Sequence, residues 1–337
     1  MIAKEIRRPT LEVVAKRAGV SRATVSRVVN GSPPVTDGLR EAVLTAITEL
    51  GYVPNRVARS LVTRRTDAYA LVLTESAGHA FAGDPFFATL VHGAVQQLDE
   101  AGKELVLQMV TSRRSNDRIR EYAAGGHVDG VMAVSTRGAA GMPAALARTG
   151  VPVVVNGRPI GRSSVPYVDV ANVAGARLAV RRLVDSGRRR IATIAGSQDR
   201  GGGIDRLAGY RVAIRDSRRR PLVRIGDFTH DSGRAAMRRL LADDPRLDAV
   251  FVASDLMAYG ALRTLREAGR RVPDDVAVIG FDGTEMARYA EPALTTVRLP
   301  ILDIGRTMAR QVLRMAGGET VERSIVLDTE LTVRETT

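Results

Sequence analysis

From residue 67 to the end of the chain, short runs of apolar and β-branched residues alternate with longer amphipathic stretches. Runs that are apolar at every position predict strands buried on both faces, and helices between them predict parallel pairing. The strand-like runs are 68–74, 104–110, 130–134, 152–156, 190–195, 249–253, 276–281 and 324–333. The helical stretches include 85–101, 173–186, 231–242 and 256–268. We therefore expect a two-lobed α/β core with parallel sheets.

The first 66 residues carry more than half of the excess positive charge. They hold 12 Lys and Arg residues against 5 Asp and Glu, a formal +7, whereas the whole chain of 337 residues carries +13. A small basic segment attached to a larger, nearly ordinary body is typical of nucleic-acid-binding modules. The charge alone does not distinguish nucleic acid from an anionic membrane surface as the partner.

Short helices are predicted within this basic segment. Thr10 can cap a first helix and Gly19 ends it. Its apolar stripe, at spacings of three and four, consists of Leu11, Val14, Ala15 and Ala18. Ser21 can cap a second helix over residues 22–29, and a third amphipathic stretch ends at Gly51. The order helix, tight turn, helix predicts an all-α helix-turn-helix headpiece.

The outward face of the second helix has small and basic side chains. Short side chains let a helix approach the DNA major groove, where Arg can bind guanine O6 and N7 with two hydrogen bonds. The exposed positions are Arg22, Ala23, Ser26 and Arg27. The alternative is a plain three-helix bundle with a solvated charged face, and the helical pattern does not decide between the two.

The residues from Thr10 to Leu61 read TLEVVAKRAGVSRATVSRVVNGSPPVTDGLREAVLTAITELGYVPNRVARSL. This string closely resembles the DNA-binding headpiece and hinge of the LacI/GalR family of bacterial repressors. Val13 stands where the family usually has Asp, and we expect this difference to weaken local capping and not DNA binding. The headpiece residues that we assign to DNA binding are Thr10, Ser21, Arg22, Ala23, Thr24, Ser26, Arg27 and Asn30.

A short segment after the third helix resembles the hinge helix of the same family. Asn55 could cap a helix over residues 56–61, which is too short to be stable alone. The resemblance implies that this helix forms on operator DNA, where Leu61 wedges into the central base step of the minor groove with Ala58 packed beside it. Arg59 is assigned to a phosphate contact. The alternative is an ordinary linker.

The rest of the chain resembles the effector-binding core of the LacI/GalR family, which is itself similar to periplasmic sugar-binding proteins. The matching stretches are 84–87, 173–179, 188–196, 205–210, 254–261 and 272–282, the last of which reads VPDDVAVIGFD. The expected organisation is a headpiece at 1–51, a hinge at 52–66 and a core at 67–337. Within the core we expect a first lobe at 67–162 and 293–321 and a second lobe at 163–292 and 322–337.

Ligands of two-lobed α/β proteins lie at the carboxyl ends of the strands. Asp282 directly follows a strand-like run, and Arg206 lies in the loop-to-helix segment after another. A carboxylate and a guanidinium can each bind two oxygens of a polyol, and the resemblance implies that these two residues bind the effector. It also aligns Phe228 and Phe86 with aromatic residues that contact the ligand. Two further candidates lie near Arg206, namely Asp199 and Arg200.

Two positions in the core depart from the family pattern. Ala171 stands where the family usually has Asp before Asn172, and Ser254 stands where it often has Asn before Asp255. If those groups contact the effector or lock the lobes, then specificity or closure is altered in this chain.

The composition argues against catalysis and against metal binding. The chain has no cysteine, and its four histidines are widely spaced, so neither thiol chemistry nor a zinc site is expected. Neither a phosphate loop nor a GxSxG motif is present, and the run 201–203 is interpreted as a flexible glycine loop. We expect no enzyme activity and no cofactor. An apolar window long enough to span a membrane and a secretory leader are both lacking, which predicts a cytoplasmic, nucleoid-associated protein without a membrane partner.

These features predict a sequence-specific transcriptional regulator. The expected partners are near-palindromic double-stranded operator DNA, a small-molecule effector and a second copy of the chain in a homodimer. The first hypothesis is a repressor of a carbohydrate-utilisation operon that a sugar inducer releases from DNA. The alternatives are a repressor that needs a purine or another small metabolite as corepressor, and a sugar-binding protein without a regulatory role, which would not carry a helix-turn-helix. A terminal leucine heptad that could pair dimers is absent, so a tetramer is not expected.

Overall fold

The computed structural model describes residues 9–30, 35–53, 65–74, 85–134 and 141–337. The chain divides into two units, Met1–Thr66 and Asp67–Thr337. No helix within the described ranges is both long and apolar enough to cross a membrane.

The described part of the first unit contains three helices, as predicted. They are α1 (Leu11–Ala18), α2 (Arg22–Val29) and α3 (Asp37–Leu50). Gly19 and Gly51 end α1 and α3 with φ angles of 67° and 59°, in the left-handed region that glycine adopts without steric cost. Three valines, one from each helix, are completely buried where the helices meet; they are Val14, Val25 and Val43.

The two predicted caps behave differently. The Ser21 hydroxyl accepts the backbone N–H of Thr24 at 3.1 Å and so caps α2 as predicted. Thr10 occupies the N-cap position of α1, but its side chain makes no capping hydrogen bond. The prediction that Thr10 caps α1 through its side chain is therefore wrong.

The second unit contains two six-stranded sheets. The first sheet has the strand order β11-β5-β4-β3-β1-β2, and every described pair in it is parallel. Its strands are β1 (Ala68–Leu73), β2 (Glu104–Met109), β3 (Gly130–Val134), β4 (Val153–Asn156), β5 (Tyr167–Val170) and β11 (Ser324–Leu327). The second sheet has the order β12-β10-β9-β8-β6-β7, in which only the β10–β12 pair is antiparallel. Its strands are β6 (Ile191–Ala195), β7 (Leu222–Ile225), β8 (Ala249–Val252), β9 (Ala277–Asp282), β10 (Thr295–Arg298) and β12 (Glu330–Thr332).

Helices cover both faces of each sheet, which explains why the central strands are apolar at every position. In β1, Leu71 and Leu73 pack into one core and Ala70 and Val72 into another. The helices of the first lobe are α4 (Pro85–Glu100), α5 (Arg113–Ala124), α6 (Met142–Ala147) and α12 (Ile301–Ala316). The helices of the second lobe are α7 (Asn172–Asp185), α8 (Gly201–Asp216), α9 (His230–Asp243), α10 (Asp255–Glu267) and α11 (Met286–Tyr289).

The chain crosses between the lobes at residues other than those expected at 162/163, 292/293 and 321/322. Strand β5 pairs with β4, so the first lobe continues through Val170. Strand β10 pairs with β9 and therefore belongs to the second lobe, although residues 293–321 were assigned to the first. The predicted strand 324–333 is two strands, β11 in the first sheet and β12 in the second. These short strands mix polar and apolar residues, so their sequences do not reveal which sheet they join.

The glycine run at residues 201–203 is not a flexible loop, because it forms the first turn of α8. A Cβ atom on Gly201 would lie 2.3 Å from the carbonyl oxygen of Arg158, and one on Gly203 would lie 2.1 Å from the carbonyl oxygen of Ser197. These two glycines therefore allow close backbone contact. It follows that Arg206 lies within a helix and not in a loop.

Candidate functional site

A cavity of about 510 Å³ opens between the two sheets of the second unit. Its walls come from segments that follow strands β4, β6, β7, β8 and β9, at the carboxyl ends where ligands of parallel sheets bind. The volume lies within the range of about 300–1,000 Å³ that is typical of small-molecule sites. All six residues that the sequence indicated as effector contacts line this cavity, namely Phe86, Asp199, Arg200, Arg206, Phe228 and Asp282.

Arg206 is a buried charged residue on the cavity wall. Its Nε donates to Oδ1 of Asn172 at 2.9 Å, and its Nη1 donates to the Ala253 carbonyl at 2.6 Å and to Oδ1 of Asp282 at 3.0 Å. The guanidinium carbon lies 3.9 Å from the centroid of the Phe281 ring, a favourable cation–π distance. These contacts fix the plane of the guanidinium before any ligand arrives.

Asp282 is the last residue of β9 and has a φ angle of 118°. A non-glycine residue in this region is strained by about 1–3 kcal/mol, and such strain is typical of functional sites. The carboxylate is 7% exposed and forms an ion pair with Arg206. A guanidinium and a carboxylate held side by side on a cavity wall can bind neighbouring hydroxyl groups of a polyol.

Two aromatic rings line the same cavity as this polar pair. Phe228 has a φ angle of 73°, and its ring lies against Gly196, where an added Cβ would approach the ring to 2.1 Å. The Arg200 guanidinium lies 5.4 Å from the centroid of the same ring. On the first lobe, Phe86 contacts Phe87 edge to face at 5.4 Å between centroids. A cavity lined by aromatic rings and a polar pair suits the mixed apolar and hydroxyl surface of a sugar.

The remaining candidate, Asp199, lies in the turn before α8. Its carboxylate accepts a hydrogen bond from the Ser197 hydroxyl. Among the described residues, no group of three or more acidic or histidine side chains could hold a metal ion.

Sequence reasoning missed a buried polar chain behind Arg206. Nδ2 of Asn172 donates to Oδ1 of Asp169 at 2.9 Å, and Oδ1 also accepts the Val170 N–H at 2.8 Å. Oδ2 of Asp169 accepts the backbone N–H of Arg158 at 2.9 Å. Burial raises the pKa of Asp169, against the hydrogen bonds from these two amides. The only signal in the sequence was the position of Asp169 and Asn172 at the end of a strand and the start of a helix.

The two departures from the family pattern lie beside this site. Ala171 is the N-cap residue of α7 and has no side chain with which to cap it. Ser254 lines the cavity and caps α10 by accepting the Met257 N–H at 3.3 Å. The Ala171 position therefore lacks a cap, whereas Ser254 supplies one.

Thr10 is the N-cap residue of α1, and the other DNA-binding candidates of the headpiece lie on α2 or at its two caps, Ser21 and Asn30. Arg22, Ala23 and Arg27 are exposed, whereas Ser26 and Thr24 are half-buried. The side chain of Asn30 donates to the Ser26 hydroxyl at 3.2 Å. The exposed face therefore combines two guanidinium groups with a methyl group, and both kinds of group can contact base edges in the major groove. The candidates Asn55, Ala58, Arg59 and Leu61 lie outside the described residues.

Arg22 has an acidic neighbour on α1. Its Nε lies 3.1 Å from Oε1 of Glu12, and both side chains are more than half exposed. The pKa of Glu12 is lowered, first by a hydrogen bond from its own backbone amide, then by one from the Thr10 side chain, and further by the charge of Arg22. The exposed pair contributes little to stability, so Arg22 can leave Glu12 for DNA at low cost.

Comparison with known proteins identifies the family. The lacI family of bacterial regulatory proteins matches residues 10–55, and the periplasmic binding protein-like domain matches residues 180–337. The HTH-type transcriptional regulator CelR of Thermobifida fusca is 52% identical over 335 residues, which cover 98% of each chain. The chain belongs to the lacI family. The resemblance noted in the sequence is thus confirmed, and the chain is a DNA-binding transcriptional regulator and not an enzyme.

Solved structures of this family share the fold of the chain. The complex of the transcriptional regulator CelR with cellobiose is 48% identical, with a TM-score of 0.77, and the match covers 98% of this chain and 100% of that one. The lac repressor dimer bound to operator and the anti-inducer ONPF is 30% identical, with a TM-score of 0.85 and coverage of 98% and 99%. The predicted fold class, a helical headpiece followed by a two-lobed α/β core, is confirmed.

Proposed function

We propose that this lacI-family chain represses transcription as a homodimer on operator DNA and that a neutral disaccharide of the cellobiose class, bound in the cavity, releases it. The observation that carries the proposal is the buried Arg206–Asp282 pair on the wall of a cavity of about 510 Å³. A fixed guanidinium and carboxylate orient hydroxyl groups, while the rings of Phe86 and Phe228 suit the apolar faces of sugar rings.

The relatives support the same ligand class. The 48% identical CelR structure was solved as a complex with cellobiose, and its match covers 98% of this chain. The dimer is supported by the lac repressor, whose structure on operator DNA is that of a dimer. A two-fold dimer would place two copies of α2 about one DNA turn, or a multiple of it, apart on a near-palindromic site. Binding to the operator would place the protein with the nucleoid DNA.

The test begins with ligand identity. Isothermal titration of the full chain with cellobiose is compared with titrations of maltose, lactose and hypoxanthine. We expect measurable binding for cellobiose and weaker or no binding for maltose, which has the same composition but the opposite anomeric linkage. Binding of hypoxanthine alone would support the purine corepressor and contradict the disaccharide proposal.

The second step measures regulation. An operator is selected from a random duplex library, and fluorescence anisotropy then gives its affinity with and without saturating sugar. A coupling free energy of about 1–3 kcal/mol corresponds to a change of roughly 5–150-fold. We expect the sugar to weaken operator binding. Stronger binding with sugar would show a corepressor, and an unchanged affinity would contradict a regulatory effector site.

A further inference from the structure

One arginine joins the two lobes beside the cavity. Arg158 follows β4 of the first lobe, and Asp205 lies on α8 of the second. Nε of Arg158 donates to Oδ2 of Asp205 at 3.0 Å, and Nη2 donates to Oδ1 at 2.7 Å. Two parallel hydrogen bonds between a guanidinium and a carboxylate fix distance and orientation together. The Asp205 side chain is 18% exposed, so solvent screens this pair less than an ordinary surface ion pair.

The backbone of Arg158 makes a second contact across the lobes. Its carbonyl oxygen would lie 2.3 Å from a Cβ on Gly201, so only glycine allows the first turn of α8 to approach this closely. The contact is independent of the ion pair, because it involves main-chain atoms alone. Arg158 therefore pairs with α8 through its side chain and lies close against it through its backbone.

The same residue is linked to the polar pair of the cavity. The Arg158 N–H donates to Asp169, whose other oxygen accepts from Asn172, and Asn172 in turn accepts from Arg206. Arg206 lies one residue after Asp205 on α8. A change in the Arg158–Asp205 contact therefore reaches Arg206 by two routes, through the helix and through the buried polar chain.

We propose that Arg158 is a positioning residue that bridges the lobes: paired with Asp205, it holds the closed arrangement of the cavity in the absence of ligand. This inference rests on the proposed function for the identity of the ligand, but not for the bridge itself. If the lobes close less often, the apparent dissociation constant of the effector rises in inverse proportion to the closed fraction that remains. The bridge would therefore set the sugar concentration at which the regulator responds.

The absence of cysteine from the chain makes the distance between the lobes directly measurable. Exposed positions on α6 of the first lobe and α9 of the second accept spin labels after Ala147→Cys and Ala235→Cys substitution. Pulsed electron paramagnetic resonance on labelled full-length chain, diluted into unlabelled chain, records the distance within one chain without sugar. The label pair is introduced into each variant below.

The test variant is Asp205→Asn, which keeps the side-chain shape and removes the charge. The matched control is Asp216→Asn on the same helix, because Asp216 is paired at 3.9 Å with Arg177 within the second lobe. We expect Asp205→Asn to lengthen or broaden the distance distribution, whereas Asp216→Asn reproduces the wild-type distribution. Asp205→Glu retains the charge and should restore the narrow distribution in part. Coinciding distributions for all four proteins would overturn the proposal.

Sugar binding supplies the second readout. Asp205→Asn is expected to raise the dissociation constant for cellobiose about tenfold, and Asp216→Asn to leave it unchanged. If wild-type chain does not bind cellobiose but the distances shift as expected, the proposed ligand is wrong and the bridge stands. If cellobiose binds and the distances do not shift, the bridge is wrong and the proposed function stands. Thermal melts identify a variant that has lost its fold. If Asp205→Asn does not fold, the distance distribution of Asp205→Glu is compared with that of the wild type instead.

Discussion

Nη1 of Arg206 lies 3.0 Å from Oδ1 of Asp282, and both residues are more than nine-tenths buried. Removing one partner of a buried ion pair leaves an uncompensated charge and typically costs about 3–5 kcal/mol. An alanine at either position would therefore remove a ligand contact and destabilise the fold at the same time, so that the two effects could not be separated. An amide of the same shape at position 282 is the better probe, because its oxygen can still accept from the guanidinium.

Asp282→Asn should shift the response to higher sugar concentrations while leaving the protein folded. A hydrogen bond to a charged group contributes about 1.5–3 kcal/mol, so the dissociation constant for cellobiose is expected to rise roughly 10–100-fold. Operator affinity without sugar should be unchanged, because the headpiece is untouched. Titration calorimetry and fluorescence anisotropy measure the two quantities.

The control for this prediction is Asp275→Asn in the same lobe. Asp275 forms an exposed ion pair with Arg271 at 2.9 Å, and that contact lowers its pKa to about 2. We expect sugar affinity to be unchanged in this variant. Full responsiveness of Asp282→Asn would show that the polar pair does not contact the effector.

Gly201→Ala should destabilise the core, because its Cβ would overlap the Arg158 carbonyl at 2.3 Å. Forcing an extra methyl group into a closely packed contact costs typically about 1–3 kcal/mol. Gly202→Ala is the matched control, because its Cβ would lie 3.7 Å from the nearest atom, in ordinary contact. Urea denaturation should place the midpoint of Gly201→Ala below wild type and that of Gly202→Ala at or above it. Equal midpoints for the two variants would contradict the close approach.

The sequence predicted the apolar strands well and the glycine run at residues 201–203 poorly. Strands such as β3 and β6 were predicted to within about a residue, because each is apolar throughout and buried on both faces. Strands β5 and β10 were missed, since each includes polar residues. Three consecutive glycines indicated a loop. They lie in a helix because the carbonyl groups of Arg158 and Ser197 approach Gly201 and Gly203 too closely for a Cβ atom, and these contacts exist only in the folded chain.

The candidate site was accessible from sequence only in part. Site residues at the ends of strands, such as Asp282, could be predicted because the carboxyl ends of parallel strands lie along one edge of the sheet, where ligands bind. The Arg158–Asp205 pair could not be predicted, since its partners lie 47 positions apart on different lobes. Their contact depends on how the lobes close, which local patterns do not encode. The buried hydrogen bonds that join Asp169, Asn172 and Arg206 were missed too, because local sequence patterns do not show which distant side chains meet.

Arg27→Ala should weaken operator binding selectively. Arg27 is exposed on α2, and an arginine that binds a base edge contributes about 1–3 kcal/mol of discrimination. We expect a loss of about 5–150-fold on the selected operator and a much smaller loss on random duplex of the same length. The comparison variant is Arg17→Ala, because Arg17 is exposed on α1 and paired with Glu49 at 2.5 Å. Equal losses on both duplexes for Arg27→Ala would assign it to phosphate contacts instead.

Asp255 should make the stability of the core depend on pH. The carboxylate is completely buried on α10, and it accepts hydrogen bonds from the Thr284 amide at 2.8 Å and from the Thr296 hydroxyl at 2.6 Å. Burial raises the pKa of Asp255 to about 6, against the hydrogen bonds from these threonines. Since the folded-state pKa lies above the ordinary value of 3.8, the folded protein binds more protons than the unfolded chain between these two pH values.

The free energy of unfolding contributed by Asp255 therefore falls as the pH rises from about 4 to about 6 and is constant above that window. Asp255→Asn cannot titrate, so the difference in unfolding free energy between wild type and this variant isolates the contribution. Urea denaturation at closely spaced pH values should show the unfolding free energy of the wild type falling relative to that of the variant from about pH 4 to about pH 6. Above about pH 6 the difference should stay constant. A difference that does not change with pH would mean that Asp255 has the same pKa in the folded and unfolded states.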